Sequence, residues 1–541
     1  MAFNNTLLIP VVVAVAFFIR LLFTTGRRPK NYPPGPPTIP ILGNLHQMPT
    51  HDVHLQLAKW AEEYGPVYSL ILGTKTLVVL TSDKSVKDLL DKKSGLYSHR
   101  PEIYLGNELA SGGLRVLMMG YTKQWRACRK MIHTLLNVSA AKSYVPYQVL
   151  ENKQMLWELV TEPDRFLYSI RRYSNALTTT MVYGWRTPTY EDPKMQQLFD
   201  GFSEFAELNQ TGAAGLVDFF PVLRSLPEFL LPAKKKAREL HALEKELYLS
   251  HWLKAKQETL DGSITRCFSE ELVAAQKAEG FSDDQAAYIS GTLLEAGSDT
   301  TSSTLYAFVQ AMLLYPDVQR KAQEEVDRVV GANRLPNMED EDDLQYVRAI
   351  MKEALRWMPT TILGAVPHAV TQDDFYNGML IPKNAGVVNN VWGIHMDPKR
   401  HPEPRRFNPD RYMDDHQSLA DAAANPDGTK RDQFTFGAGR RICPGIHVAE
   451  RSLFLGISRI LWGFNIEPAR DAQGNPIIPD QEKLTQGFVC MPEEFPAKIT
   501  PRSEARKAII MNEWATAEAE LLDPVTKQWK QNPLMGGRTK A

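Results

Sequence analysis

Cys443 stands in the run Phe436-Gly-Ala-Gly-Arg-Arg-Ile-Cys-Pro-Gly445, seven residues after an aromatic side chain and two after Arg441. Glycine allows close backbone approach and positive φ, so such a turn suits the presentation of a sulfur to a flat cofactor. Residues 446–464 follow with apolar side chains at helical spacing, which places Cys443 just ahead of a helix. The positive end of that helix favours thiolate over thiol, and a bound iron would do so more strongly. A single cysteine in a glycine-rich turn is more often a buried core residue. The chemical reading therefore comes from the length of the spaced pattern, not from the sulfur alone.

Three further constellations carry chemistry. In Ala296-Gly-Ser-Asp-Thr-Thr301, residues Ala296, Asp299 and Thr300 fall at i, i+3 and i+4 and share a helical face. Gly297 and the hydroxyl-bearing residues after it weaken the helical ladder, which predicts a local distortion. An acid beside an alcohol in such a break is able to hold water and pass protons, and the same pattern also serves as a structural polar break. Glu353 and Arg356 are three apart on one face; buried, the pair is a structural clamp and not a catalyst. Trp125 and Arg129 lie one helical turn apart and suit a carboxylate partner, or an arginine packed over a ring.

The elements that must position these groups are legible in part. Residues 67–72 and 77–81, separated by Gly73-Thr-Lys-Thr, read as a hairpin. A capping box at Ser282-Asp-Asp-Gln285 opens a helix that Pro316 stops, roughly 50 Å long at the standard rise. Further helices are expected over 317–330, 342–358 and 505–522, with short strands and turns over 366–391. Residues 414–432, polar and alanine-rich, read as a surface loop. The body is therefore mainly α with a minor β component, and no linker divides it. The 541 residues are 43% hydrophobic and 23% charged, ample for a large core. A net charge of -1 gives no electrostatic case for nucleic acid. Cys128, Cys267, Cys443 and Cys490 are too dispersed for a zinc site or a disulfide framework, which suits a reducing compartment. Residues 7–23 are almost wholly apolar, at the short end of a membrane span. Basic residues and Tyr32-Pro-Pro-Gly-Pro-Pro37 come next. The segment reads as an uncleaved anchor with a cytosolic body behind it, and the prolines as a stiff spacer.

Taken together, the set resembles the cytochrome P450 superfamily, the haem-thiolate monooxygenases. The resemblance covers the anchor, the Pro-Pro-Gly-Pro hinge, the Ala-Gly-x-Asp-Thr and Glu-x-x-Arg elements in the family's order, His401-Pro-Glu-Pro-Arg-Arg-Phe-Asn-Pro-Asp-Arg411, and the cysteine loop. It implies the P450 fold, with haem b between the long central helix and the cysteine loop with its following helix. It implies Cys443 as axial ligand of the iron, Phe436 packed near that sulfur, and Trp125, Arg129 and Arg441 on the haem propionates. His368 stands where many members have a propionate-binding basic residue, and equally suits a plain strand histidine. Arg411 would join Glu353 and Arg356 in a triad. Asp299 and Thr300 would pass protons to bound dioxygen.

The implied layout is an anchor over 1–26, a hinge over 27–40, a catalytic domain over 41–501 and an extension of unassigned role over 502–541. By the same resemblance the substrate is a lipophilic small molecule, as in fungal members of secondary-metabolite biosynthesis. Pocket side chains would come from Leu109, Leu114, Met118, Phe202, Phe219, Phe220, Ile362, Phe488 and Val489. No flavin or nicotinamide domain fits after Cys443, so electrons would come from a separate NADPH-dependent reductase at the endoplasmic reticulum membrane. Lys123, Arg129, Lys430, Arg431 and Arg440 are candidates for its docking face. Oxygen insertion is the leading reaction; desaturation, ring closure or coupling, and haem binding without turnover, are the alternatives.

Overall fold

Helix punctuation sets the frame of the molecule, seen in a computed structural model that describes residues 13, 20, 24–209, 213–263, 267–531 and 533–535. The helices that frame the site are α1 (Lys123–Leu136), α2 (Val145–Thr161), α3 (Phe166–Tyr183), α4 (Pro193–Leu208), α5 (Pro232–Leu260), α6 (Asp283–Leu314), α7 (Pro316–Val329), α8 (Gln345–Trp357), α9 (Ile446–Gly463) and α10 (Glu504–Leu521). Ser282 accepts a hydrogen bond from the Gln285 amide, and Asp283 and Asp284 fill the first turn of α6. Carboxylates there complement the exposed N–H groups and the helix dipole. Pro316 ends α6 and opens α7, since proline fits a first helical turn but not an interior.

The central helix α6 is buried along most of its length and packs directly on α3 and α9. Both contacts depend on glycine. A Cβ on Gly297 would meet Thr178 Oγ1 of α3 at 2.6 Å, and one on Gly456 of α9 would meet Leu305 Cδ2 of α6 at 2.9 Å. Gly297 is therefore a packing residue. The distortion expected around it does not form: α6 runs unbroken as an α-helix through residues 296–301. The polar residues there bond within and between helices instead, with Ser298 Oγ donating to the Leu294 carbonyl and accepting from Asn175 of α3.

The principal sheet has four strands. The hairpin β1 (Val67–Leu72) and β2 (Lys75–Leu80) is antiparallel, and β2 runs parallel to β6 (Gly386–Asn389). The two-residue β3 (His368–Ala369) completes the far edge against β6, with His368 opposite Val387. Small two-stranded ladders are β4 (Asp374–Tyr376) with β5 (Met379–Ile381), and β7 (Phe464–Pro468) with β8 (Ala497–Pro501). The fold is thus mostly helical with small sheets, as the sequence implies.

Two segments differ from simple expectation. The proline-rich segment is fastened to β1: Arg28 donates to the carbonyls of Gly35, Pro36 and Ser69, each at 2.8 Å. The stretch 414–432 is not wholly a surface loop, because Leu419–Ala424 forms a helix with Leu419, Ala422 and Ala423 buried. Alanine-rich composition suits a small buried helix as well as a loop. No helix among the described residues is long and apolar enough to cross a membrane, and the apolar stretch 7–23 lies almost wholly outside them.

Glu353 and Arg356 of α8 form the expected clamp. Both are fully buried and doubly bonded, at 2.6 and 2.7 Å. Glu353 also accepts from the Asn408 amide at 2.8 Å, while Arg411 Nε stands 3.5 Å away at the rim. Arg356 donates to the His395 carbonyl. Burial works against its charge, but Glu353 more than offsets this and raises its pKa. Glu353→Ala would leave that guanidinium buried and unpaired. The expected loss is about 3–5 kcal/mol, read as a lower thermal midpoint and a shifted urea transition.

Candidate active site

Cys443 is placed by the turn that precedes α9. Its amide donates to the Phe436 carbonyl at 2.8 Å, closing the loop over Gly437 and Gly439, both at positive φ. A Cβ at Gly439 would lie 2.0 Å from the Leu90 carbonyl oxygen, so that position admits only glycine. Thr435 fastens the loop to α8 by donating to the Leu355 carbonyl, and Thr361, in the segment after α8, donates to the Thr435 carbonyl. Burial pushes the Cys443 thiol up, opposed by backbone N–H donors from Gly445 and Ile446 and by the Arg129 charge. The helix end alone therefore does not yield a thiolate at neutral pH. A coordinating metal does, because it replaces the thiol proton.

A cluster of cations lies beside this loop. The Arg441 guanidinium stacks 3.9 Å over the Trp125 ring and donates to the carbonyls of Ser98 (2.9 Å) and Met119 (2.6 Å). Arg129, one turn beyond Trp125 on α1, donates to the Ile442 carbonyl. Arg100 donates to the carbonyls of Leu117 and Val366. None of the three has a carboxylate partner among the described residues; backbone carbonyls are their only acceptors. Burial, with repulsion from Arg100 and Arg129, pushes Arg441 down to about 8. His368 on β3 bonds the Tyr97 carbonyl through Nδ1 at 2.8 Å. Burial, then the charges of Arg100 and Arg441, holds it down at about 3 and so neutral. The structure thus brings Trp125, Arg129, Arg441 and His368 to one place and adds Arg100, which the sequence reading missed.

Buried guanidinium groups without anions are costly, so the cluster calls for an anionic ligand. A planar group with two carboxylates beside a sulfur ligand meets that demand, and the residues present fit haem.

On α6, Ala296, Asp299 and Thr300 share a face as predicted. The Thr300 hydroxyl donates to the Ala296 carbonyl at 2.8 Å. The Asp299 carboxyl has no hydrogen-bond partner among the described residues, while its backbone carbonyl accepts from Ser302 Oγ at 2.9 Å. Burial pushes its carboxyl up to about 6, with Arg171 pulling it down and Glu295 pushing it further up.

A second charged knot lies one turn earlier. Arg115 bonds both Glu244 of α5 and Glu295 of α6, and its guanidinium sits 3.8 Å over the Phe205 ring of α4. Burial and the Glu295 charge raise Glu244 to about 7 despite the pull of Arg115.

Of the expected pocket residues, Leu109, Met118 and Phe488 pack together with Phe205. Phe220 instead abuts Gly73 in the β1–β2 turn, and Phe219 belongs to the cluster around that hairpin. Arg431, expected on a docking face, is fully buried and paired with Asp91 at 2.6 Å, and Arg129 points inward; Lys123, Lys430 and Arg440 remain exposed.

The cytochrome P450 family model matches residues 33–498, most of the chain. The chain belongs to the cytochrome P450 family. Among curated proteins it is 52% identical over 520 residues to cytochrome P450 monooxygenase virE of Hypocrea virens, covering 96% of this chain and 94% of that protein. It is 47% identical over 531 residues to cytochrome P450 monooxygenase fogE of Aspergillus ruber, covering 98% and 97%. It is 48% identical over 533 residues to fsoB of Humicola fuscoatra, of the same description, covering 98% of each. The chain is accordingly a P450 monooxygenase, an oxidoreductase whose family holds haem by a cysteine thiolate and draws electrons from NADPH through a reductase.

The raised Asp299 carboxyl carries a stability consequence. An acid whose folded pKa lies above its unfolded value loses stability as pH rises from about 4 to about 6. Asp299→Asn is expected to stabilise the protein at pH 8, by at most about 3 kcal/mol, and to change little at pH 4. Thermal midpoints at the two pH values read this directly.

Proposed function

We propose that this P450 hydroxylates or otherwise oxidises a lipophilic small molecule of fungal secondary metabolism, with Cys443 as the axial haem ligand. The observation that carries this reading is the sulfur set beside three guanidinium groups that have no carboxylate partner among the described residues. Arg100, Arg129 and Arg441, with Trp125 and His368, would hold the propionates, and Phe436 would pack near the sulfur. When bound, thiolate-ligated haem supplies oxygen activation, the thiolate pushing electron density that favours O–O cleavage.

The chain's own residues do the rest. Asp299, with its carboxyl near 6, takes up and releases a proton at neutral pH. Thr300 Oγ1, whose own O–H donates to the Ala296 carbonyl, would accept a hydrogen bond from a water that carries that proton and so hold the water in place. Leu109, Met118, Phe205 and Phe488 supply apolar walls that exclude water and hold an apolar substrate.

A separate NADPH-dependent reductase would dock on exposed Lys123, Lys430 and Arg440. Residence on the endoplasmic reticulum membrane is supported by the apolar stretch 7–23 and by solvent-facing side chains elsewhere. Phe229 is 80% exposed and Val222 76%, on the segment between α4 and α5. That segment follows Phe219, whose carbonyl accepts from Thr74 in the β1–β2 turn. Leu42, itself half exposed, accepts at its carbonyl from Gly73 in the same turn. Exposed apolar side chains at both places suit an interfacial surface.

Cys443→Ser is expected to abolish the thiolate-type Soret band of the reduced carbonyl complex; a retained band overturns the ligand assignment. Thr300→Ala should divert electrons from product to hydrogen peroxide, by about tenfold or more if the hydroxyl supplies the proton. Peroxide and product counted per NADPH consumed give the answer. The same assay under isotopically labelled dioxygen separates insertion from desaturation, ring closure or coupling.

A further inference from the structure

The carboxyl-terminal segment beyond residue 501 is built into the fold on the side of the cysteine helix. Helix α10 lies along α2, with the Trp157 and Trp514 rings 6.1 Å apart and Lys153 paired to Glu513 at 2.6 Å. After α10 the chain turns back on itself: Leu522 bridges Trp529, and the Lys530 amide donates to the Leu521 carbonyl at 2.9 Å. Asp523 caps this turn by accepting from the amides of Val525 and Thr526.

The turn is locked to the end of α3. The Arg186 amide donates to the Gln528 side chain at 2.6 Å, and Gln528 donates back to the Arg186 carbonyl at 3.1 Å. The Arg186 guanidinium donates to the Lys527 carbonyl at 2.8 Å and bonds Glu151 of α2, which is fully buried and also paired with Arg172.

The locked turn holds the Trp529 ring 5.2 Å from that of Tyr147 on α2. The next residue, Gln148, is fully buried and donates from Nε2 to the Val448 carbonyl (3.0 Å) and to Ser452 Oγ (2.8 Å). Val448 is in the first turn of α9, five residues after Cys443. The terminal segment is therefore linked through Tyr147 and its chain neighbour Gln148 to the first turns of α9, the helix that follows Cys443.

We infer that residues 522–530 are a positioning device for Cys443, with Trp529 as the contact that holds Gln148 of α2 against the first turns of α9. The inference rests on Cys443 being the haem ligand. In its absence α2 shifts, Gln148 loses its bonds to α9, and the sulfur leaves the iron more readily.

The test compares the haem-loaded wild type with Trp529→Ala, Trp529→Phe, Gln148→Leu and a chain ending at Asp523. In each, loss of the thiolate-type band of the reduced carbonyl complex is followed over time in a fixed, sub-denaturing urea concentration. Far-UV circular dichroism monitors the fold in parallel. Trp529→Ala, Gln148→Leu and the truncation are expected to lose the band about three- to tenfold faster than wild type, the size of one or two lost contacts, at unchanged dichroism. Trp529→Phe should restore the wild-type rate. The Trp529→Ala/Gln148→Leu double variant should be no faster than either single variant, since both act on one line of contacts.

Band loss at the wild-type rate in Trp529→Ala overturns the inference. So does band loss that merely tracks unfolding by dichroism, which is what a plain stabilising strap gives. Should the truncated chain fail to fold, the point variants still decide. A wild type that never shows the thiolate-type band refutes the ligand reading instead, and the two failures are told apart by that first spectrum.

Discussion

Uncompensated positive charge is the constraint on which this active site depends. Arg100, Arg129 and Arg441 come from three separate parts of the chain and end on backbone carbonyls, not carboxylates. Carbonyls orient a guanidinium but do not neutralise it, so the cluster remains short of anionic charge until a ligand brings it. The cysteine loop shows the complementary effect: burial opposes negative charge on the Cys443 sulfur. One ligand that offers both a cationic metal and peripheral carboxylates relieves both. The protein is in this sense folded around missing charges, and the surrounding neutral clamps, Glu353–Arg356 above all, give it the rigidity to hold them apart.

That rigidity is delivered by close helix contact. Helix α6 reaches α3 at Gly297 and α9 at Gly456 with no room for a methyl group at either place. Asp299 and Thr300 and the helix behind Cys443 thus belong to one packed body. Small displacements between them are resisted by side-chain overlap, which rises steeply over tenths of an ångström.

Local signals made the elements readable and long-range contacts hid part of the site. The capping serine and the terminal proline marked α6 to within a residue at each end, because both act on neighbouring backbone groups. The cysteine loop, Asp299, Thr300, Trp125 and Arg129 can be singled out as candidates because their spacing within short runs is itself chemical. Arg100 escaped because its acceptors and its cationic neighbours lie far away in sequence. The Arg115 knot escaped for the same reason, its partners being 129 and 180 residues distant. Gly297 was seen but assigned to helix weakening, whereas its cause is Thr178 on another helix. Arg431 looked like a surface charge because nothing local announces Asp91 as its partner.

The Arg115 knot has a consequence for how the surrounding elements are held together. One guanidinium ties the loop before α1 to α5 and α6 and lies on the α4 phenyl ring, so four pieces of the chain share a single cation. Withdrawing Arg115 would leave the Glu244 and Glu295 carboxylates facing each other in a poorly hydrated place. Drawing the loop away from the helices is therefore opposed by charge as well as by packing.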